Sequence, residues 1–242
     1  MLSAGIVLAL VGVLVVHPPV LGGIICTVSV SPLVAETSLA LEQDTDGVMV
    51  VTVYIEGIKD TTTGLPADIP GGIGSYSATA TLPADIDLLQ VRGVAPYNSP
   101  AFDTETGVFS VSSVTTPQQP DHSAVAKLVV RLTGTCLSAT SLGVAFQQII
   151  SATDPGLNVP EEESNSLPFL RGDARTVDGI VNIVDAMFIA QYTVGLRTLS
   201  ELNPVNGASV RYDTPGDTMN IVDAMFIAQY TVGLRNSSFN IP

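Results

Sequence analysis

The sequence predicts a mainly β fold followed by a small α domain, and three observations lead to this fold class. Short segments rich in Val, Ile and Thr, separated by Gly, Pro, Asp and Asn, fill residues 26–157. The polar stretch NVPEEESNSLP at 158–168 has no apolar periodicity and is interpreted as a solvated linker. The segment NIVDAMFIAQYTVGLR then occurs twice, at 182–197 and 220–235, within a C-terminal part at 169–242. We therefore expect a β domain, a linker and a duplicated helical domain.

The β domain shows the period of half-buried strands. In VMVVTVYIEGI, the residues Met49, Val51, Val53 and Ile55 alternate with a second set, which predicts a strand with one buried face. In AVAKLVVRL, the inward set is Ala124, Ala126, Leu128, Val130 and Leu132. Roughly eight such segments in about 130 residues predict a β-sandwich.

The first 25 residues begin with an apolar run at 1–16, which is interrupted by the residues HPP at 17–19. This pattern is typical of an export signal, and a retained membrane anchor is the alternative. Export places the protein outside the cell or at the cell surface. Cys26 and Cys136 are the only cysteines, so one disulfide and two buried free thiols both remain open.

The charge of the chain limits the class of partner. Nine Lys and Arg residues stand against 23 Asp and Glu residues, which gives a formal net charge of -14. Nucleic-acid binding requires basic patches that neutralise phosphate groups, so this composition disfavours a nucleic-acid partner and favours a cation. The two histidines, His17 and His122, occur in no catalytic motif, and we expect no enzymatic activity and no small-molecule substrate.

The residues before the first copy of the repeat have the spacing of an EF-hand calcium loop. Such a loop has oxygen ligands at positions 1, 3, 5, 9 and 12, a backbone carbonyl at position 7 and a glycine at position 6. Counted back from Asp185 at position 12, the register gives Asn182 at 9, the Ile180 carbonyl at 7, Gly179 at 6, Asp178 at 5 and Thr176 at 3. Asp173 would supply position 1, but it lies one residue too far away, so this loop carries an insertion.

The residues before the second copy repeat this arrangement in a shorter loop. Asp223 and Asn220 correspond to positions 12 and 9, and Asp213 and Asp217 have the spacing of positions 1 and 5. One residue is missing between Asp217 and Asn220, no glycine follows Asp217, and Pro215 occupies the third ligand position. We expect this second Ca²⁺ site to be weaker or more distorted. The alternative for both loops is that Asp and Asn act only as helix caps and turn formers.

The duplicated segment predicts a helix with two apolar faces. At about 100° per residue, one side carries Phe188, Ile189, Tyr192 and Leu196, and the opposite side carries Ile183, Met187, Ala190 and Val194. We expect Phe188 and Tyr192 to join the two copies, whereas so short a domain cannot cover the second face. That second face, which recurs in the second copy, is a candidate partner-binding surface. The alternative is that it packs on the chain's own β domain or C-terminal tail.

The two loop-helix units, with the residues GD, DGIVNIVD and MFIAQY, resemble the dockerin module over 169–235. The resemblance implies two calcium sites related by pseudo-twofold symmetry and recognition of a cohesin module. It also implies partner contacts at loop positions 10 and 11 and along the exposed helix, which here are Ile183, Val184, Met187, Ala190, Ile221, Val222, Met225 and Ala228. These residues are hydrophobic where many dockerins have Ser or Thr, so specificity is expected to differ.

The β domain in turn resembles cohesin modules over 27–160, on the segments VMVVTVYIEGI, GGIGSYSATATLPADIDLLQVRGV and HSAVAKLVVRLTG. Together the two resemblances imply an exported, non-catalytic assembly protein. Its partner is expected to be a cohesin-like domain of another copy or of another surface protein, and head-to-tail pairing of copies would give a homo-polymer. The alternative is a carbohydrate-binding β-sandwich tethered to a scaffold through the dockerin-like module, which the lack of Trp disfavours.

Overall fold

The computed structural model describes residues 33–44, 47–98, 100–175, 178–211 and 218–242. These residues belong to one compact unit. The predicted export signal at 1–25 and Cys26 lie outside the described residues. Among the described residues, no helix is long and apolar enough to cross a membrane.

The described residues form nine strands in two antiparallel sheets. In chain order the strands are β1 (Leu33–Gln43), β2 (Met49–Asp60), β3 (Ile73–Thr81), β4 (Ile86–Gly93), β5 (Ala101–Phe102), β6 (Val108–Val111), β7 (Ser123–Leu132), β8 (Thr140–Ser151) and β9 (Asn165–Phe169). The first sheet has the order β1-β2-β7-β4, and the second has the order β5-β6-β3-β8-β9. The mainly β fold with two sheets is therefore confirmed.

The sandwich core lies between the two sheets. Val53 and Ile55 of β2 and Leu128 of β7 are buried there, as their period predicts. Tyr76 and Phe109 enter the same core from the second sheet, with their rings in an edge-to-face contact at 6.3 Å between centroids. Burial of these side chains between the sheets stabilises the sandwich.

The central strand β2 is buried on both faces, which differs from the predicted strand with one buried face. Val50, Thr52 and Tyr54 alternate with the core residues and are nevertheless buried. The Thr52 hydroxyl donates to a carboxylate oxygen of Glu42 on the neighbouring β1 at 2.8 Å. The Tyr54 ring is stacked under the His122 ring, with 4.3 Å between centroids. Polar side chains of neighbouring segments cover this face, and a period-two pattern does not show them.

The interpretation of residues 158–168 as a solvated linker is wrong. Val159 is fully buried, and its backbone N–H donates to the Ile149 carbonyl at 2.8 Å. The end of the stretch belongs to β9 (Asn165–Phe169), which pairs with β8 at the edge of the second sheet. Phe169 at the end of β9 belongs to the sandwich core. Backbone pairing, which needs no apolar periodicity, therefore makes this polar stretch part of the sheet.

The C-terminal part contains the same helix twice. Its elements are α1 (Ile183–Thr193), a 3₁₀ turn (Leu199–Glu201), α2 (Pro204–Ala208) and α3 (Ile221–Thr231). Asn182 caps α1 and Asn220 caps α3, because each side-chain oxygen accepts the backbone N–H two residues later, at 2.7 and 2.9 Å. Helices α1 and α3 pack on each other through the equivalent residues Ala186, Ile189, Ala224 and Ile227.

The helical part is not a separate domain, because it is docked on the sandwich. Arg171 is buried, and its guanidinium donates to the Ser209 carbonyl at 2.7 Å and to the Gly134 carbonyl, after β7, at 3.0 Å. The Leu132 N–H of β7 donates to the Ser209 hydroxyl at 3.1 Å. Val205 of α2 lies within the sandwich core. The division at residue 169 is therefore a boundary in sequence pattern that the packing does not follow.

Candidate calcium loop and helix face

The first loop, residues 173–185, brings two of the predicted calcium ligands together in a buried site. Asp173 and Asp185 are 0% and 1% exposed. Asp173 Oδ2 accepts the Gly179 N–H at 3.0 Å, and Asp185 accepts the N–H groups of Asn182 at 2.8 Å and Arg175 at 3.2 Å. Gly179 has a φ of 79°, so this position needs glycine, as position 6 of the predicted loop does.

One carboxylate oxygen of the first loop has no hydrogen-bond partner among the described residues. Asp173 Oδ1 is buried and accepts no hydrogen bond from the described residues. Burial raises the pKa of Asp173 to about 6, and the negative charge of Asp185 acts in the same direction, whereas the Gly179 N–H and Arg175 lower it. A buried acceptor without a donor is costly, and a bound cation is one way to satisfy it. Helix capping and turn formation account for Asn182 and Asp185 but not for this oxygen.

The other predicted ligands of the first loop are arranged differently. Asp178 is exposed, forms an ion pair with Arg175, and accepts the Ile180 N–H at 3.0 Å. The Ile180 carbonyl accepts from the Asn182 amide at 3.5 Å. Thr176 lies outside the described residues, and among those that are described no group of three acidic, His or Cys side chains converges as a metal site. The buried Asp173 and Asp185 pair is thus the part of the loop that fits a cation.

The second loop, residues 213–223, has a different arrangement at its last carboxylate. Asp223 is fully buried, and one of its oxygens accepts the Asn220 N–H at 2.8 Å. The other oxygen accepts Arg211 Nε at 2.8 Å. Asp213 and Asp217, the two remaining predicted ligands, lie outside the described residues. The described part of this loop therefore holds a carboxylate already paired with a guanidinium.

Four large apolar side chains form an exposed surface on the packed pair α1 and α3, which we call the helix face. Ile183 and Met187 are 56% and 46% exposed, and their equivalents Ile221 and Met225 are 52% and 47% exposed. The alternative that these side chains pack on the chain's own sandwich or tail is therefore wrong. The other predicted partner-binding residues, Val184, Ala190, Val222 and Ala228, are half-buried beside them.

The opposite side of each helix packs largely as predicted. Phe188 and Tyr192 are half-buried against the cluster that joins the two copies, in which Ala186 and Ile189 are fully buried, whereas Leu196 is exposed. The Arg197 guanidinium lies 3.5 Å from the centroid of the Phe188 ring. Arg235 and Phe226 repeat this contact at the same distance in the second copy. In the sequence, the arginine that ends each sixteen-residue repeat is the feature from which these two cation–π contacts could have been predicted.

The second sheet has an outer face without charged side chains, which we call the sheet face. Tyr76, Ala78 and Ala80 of β3 point into the core, so the alternating residues and their cross-strand partners lie on the outside. These outer residues are Ser75, Ser77, Thr79, Thr81, Val108, Ser110, Gly143, Ala145, Gln148, Ile150 and Ser166. None of them is acidic, although the chain carries 23 Asp and Glu residues. The sequence alone does not reveal this surface, because it depends on the register between four strands.

No protein-family model matches the sequence, and no curated protein matches it. Solved structures to which this chain is distantly similar include the cohesin module of a family 33 glycoside hydrolase from Clostridium perfringens ATCC13124, with 12% identity and a TM-score of 0.41 over 56% of this chain and 94% of that one. A non-cellulosomal cohesin from the hyperthermophilic archaeon Archaeoglobus fulgidus has 11% identity and a TM-score of 0.34 over 56% and 89%. The third ScaB cohesin of R. flavefaciens, solved in complex with a group 1 dockerin, has 12% identity and a TM-score of 0.33 over 55% and 91%.

Proposed function

We propose that this protein is a non-catalytic assembly module of the dockerin and cohesin type, acting outside the cell or at its surface. The helix face carries this proposal, because Ile183, Met187, Ile221 and Met225 expose a repeated apolar surface on two packed helices. Single exposed apolar residues are ordinary on proteins, whereas four large ones at equivalent positions of two packed helices favour a protein-binding site.

The first loop supports a requirement for calcium. The side chains of Asp173, Thr176, Asp178, Asn182 and Asp185 and the Ile180 carbonyl would hold the ion. Bound calcium supplies the positive charge that the buried pair Asp173 and Asp185 lacks. Asp185 lies in the first turn of α1 and accepts the N–H of the cap residue Asn182. The conformation of the loop therefore controls the position of α1. Through α1 it also controls the half of the helix face that Ile183 and Met187 form.

A second copy of this chain is the proposed partner, bound by its sheet face. Both faces lack acidic side chains, so they are surfaces on which two chains of net charge -14 can approach without direct carboxylate repulsion. Among the described residues, the contacts that dock the helical part on the sandwich involve Arg171, α2 and the segment after β7, which lie outside both faces. A contact between two different faces is head-to-tail and extends into a chain of copies.

Sedimentation of the full chain tests this function. With calcium we expect assemblies that grow with protein concentration, and with a chelator we expect smaller ones. Changing Ile183 and Ile221 together to Asp should abolish assembly, because it places charge on the apolar face of both helices. Leu65→Asp is the matched control, since Leu65 is 64% exposed on the turn after β2 and lies outside both faces.

Mixing two defective variants tests the head-to-tail arrangement. The double helix-face variant keeps its sheet face, and Thr79→Lys on β3 keeps its helix face. We expect each alone to remain monomeric and the mixture to form a dimer that grows no further. A wild-type chain that stays monomeric in calcium at every concentration would exclude a second copy as the partner. If the variant with both Ile183→Asp and Ile221→Asp assembled to the same extent as the wild type, the helix face would not be the binding surface.

A carbohydrate-binding role has less support from the described residues. Among them, the sandwich tyrosines offer no open platform for a sugar ring, because Tyr54 is stacked under His122 and both Tyr76 and Tyr97 are buried.

A further inference from the structure

One difference between the two copies lies at an oxygen of the last loop carboxylate, although the helices are identical in sequence. In both copies the last carboxylate of the loop accepts the N–H of the cap residue, and both distances are 2.8 Å. The second oxygen of Asp185 accepts only the backbone N–H of Arg175 among the hydrogen bonds described, at 3.2 Å. The second oxygen of Asp223 accepts the Arg211 guanidinium at 2.8 Å. A full positive charge thus lies beside Asp223 where Asp185 has a peptide dipole.

The two loops also differ in the spacing between a preceding arginine and this carboxylate. An arginine stands two residues before the first aspartate of each loop, as RGD at 171–173 and RYD at 211–213. Asp185 follows Arg171 by fourteen positions, whereas Asp223 follows Arg211 by twelve. Arg171 lies instead at the junction with the sandwich, where it donates to the carbonyl groups of Ser209, at the end of α2, and of Gly134, after β7. Arg171 of the first copy therefore joins the helical part to the sandwich, whereas the equivalent Arg211 of the second copy pairs with its own loop.

The pair in the second copy is well shielded from solvent. The side chains of Arg211 and Asp223 are 10% and 0% exposed. A hydrogen-bonded guanidinium compensates a buried carboxylate as a bound cation does. A divalent ion on the same oxygen would have to displace the guanidinium and would leave it buried beside a charge of the same sign. In the first loop, by contrast, Asp173 Oδ1 accepts no hydrogen bond from any described residue.

We infer that the second loop is closed by Arg211 in place of calcium, so that the chain binds a single calcium ion, in the first loop. This inference rests on the proposed calcium requirement of the first loop. It makes the repeat functionally asymmetric: removal of calcium loosens the N-terminus of α1 and leaves that of α3 in place. The helix face then has one half that depends on calcium and one half that does not.

Calorimetric titration of the full chain with calcium counts the sites. We expect a stoichiometry close to one ion per chain for the wild type. Asp185→Asn should abolish binding, and the matched variant Asp223→Asn should keep the wild-type stoichiometry and affinity. Two sites in the wild type, with Asp223→Asn removing one of them, would overturn the inference and leave the proposed calcium requirement intact. No binding by the wild type would overturn both.

The pairing of Arg211 with Asp223 is tested in chelator, where no calcium contributes. We expect Arg211→Gln and Asp223→Asn each to lower the unfolding midpoint, and the double variant to lose clearly less than the sum of the two. Arg235→Gln, in the same copy but outside the loop, is the control and should combine additively with Asp223→Asn. Additive losses for Arg211→Gln and Asp223→Asn would contradict the pairing. Hydrogen exchange gives a third measurement: on adding chelator, exchange should rise at the first turn of α1 and stay unchanged at that of α3.

Discussion

At the residue scale, a buried arginine joins the two parts of the molecule. Arg171 donates to the backbone carbonyls of Ser209, Val210 and Gly134, the last of which belongs to the segment after β7. Its guanidinium also lies 5.3 Å from the ring centroid of Phe239 in the C-terminal tail. A planar group with five donors can bridge several carbonyls at once, which no other side chain does at this site.

Replacing Arg171 with Met should therefore destabilise the whole chain. The variant removes the donors of three carbonyl groups within a buried junction, and we expect a loss of about 3 kcal/mol in the free energy of unfolding. Urea denaturation measures this loss. The control is Arg197→Met, because Arg197 is partly exposed and pairs with Glu201 at the surface, so its loss should stay below about 1 kcal/mol. Equal losses for the two variants would contradict the bridging role of Arg171.

His122 offers a second test at the same scale. The hydrogen bond and the negative charge of Glu56 raise the pKa of His122 above its usual 6.5. A histidine whose folded pKa is raised adds stability that is complete below about pH 6.5 and is lost as the pH rises through the folded pKa. Because His122 is exposed, the pKa is the sensitive readout. Titration followed by nuclear magnetic resonance should show that Glu56→Gln lowers the pKa of His122, whereas Glu105→Gln leaves it unchanged.

At the scale of the elements, one helix sequence is used twice with the same caps. Helices α1 and α3 have identical residues, and in each the cap asparagine accepts a backbone N–H while the aspartate three residues later accepts the N–H of the cap. Their large apolar residues are exposed to nearly the same extent. The difference between the copies lies in the loops and not in the helices.

The two cap residues provide a matched pair of variants. Asn220→Ala should cost about 1 kcal/mol of stability with calcium and with chelator alike, because only a cap is lost. Asn182→Ala should cost about the same in chelator and more in calcium, because Asn182 is both a cap and a proposed ligand. Thermal unfolding under the two conditions measures both. An equal calcium dependence of the two variants would contradict the different roles of the loops.

At the scale of the whole molecule, docking of the helical part leaves two different faces open. The helix face is built from two equivalent halves, so we expect the proposed partner to bind it in two orientations related by about 180°. The sheet face lies on the other sheet from β2 and β7, the strands that α2 contacts. The molecule thus combines two unlike surfaces in one compact unit.

Variants confined to one copy test the two orientations. Ile183→Asp combined with Met187→Asp should weaken assembly and not abolish it, because Ile221 and Met225 still present the equivalent half. The corresponding pair in the second copy should behave alike, and all four substitutions together should abolish assembly. Sedimentation in calcium measures the three variants. Complete loss from the first pair alone would exclude two equivalent orientations.

Much of the fold and part of the site follow from local patterns in the sequence. The burial of Val53 and Ile55 in the sandwich core and the exposure of Ile183 and Met187 were predicted correctly. Asn182 and Asn220 act as helix caps, which was the alternative to their predicted role as ligands. These features depend on side-chain period and on residues within one turn of each other, so the sequence contains the whole cause. The calcium role of the first loop remains a prediction that the buried, unpartnered oxygen of Asp173 supports.

The sequence by itself determined the repeat, the strand and helix periods and the surplus apolar face. Only the tertiary structure decided that 165–169 is a strand, that β2 is covered on both sides, and that Arg171 and Arg211 have different partners. The physical reason is the same in each case. Three things depend on what lies nearby in space: backbone pairing, cover by neighbouring side chains, and the direction of a long side chain. Identical local motifs therefore adopt different contacts when their surroundings differ.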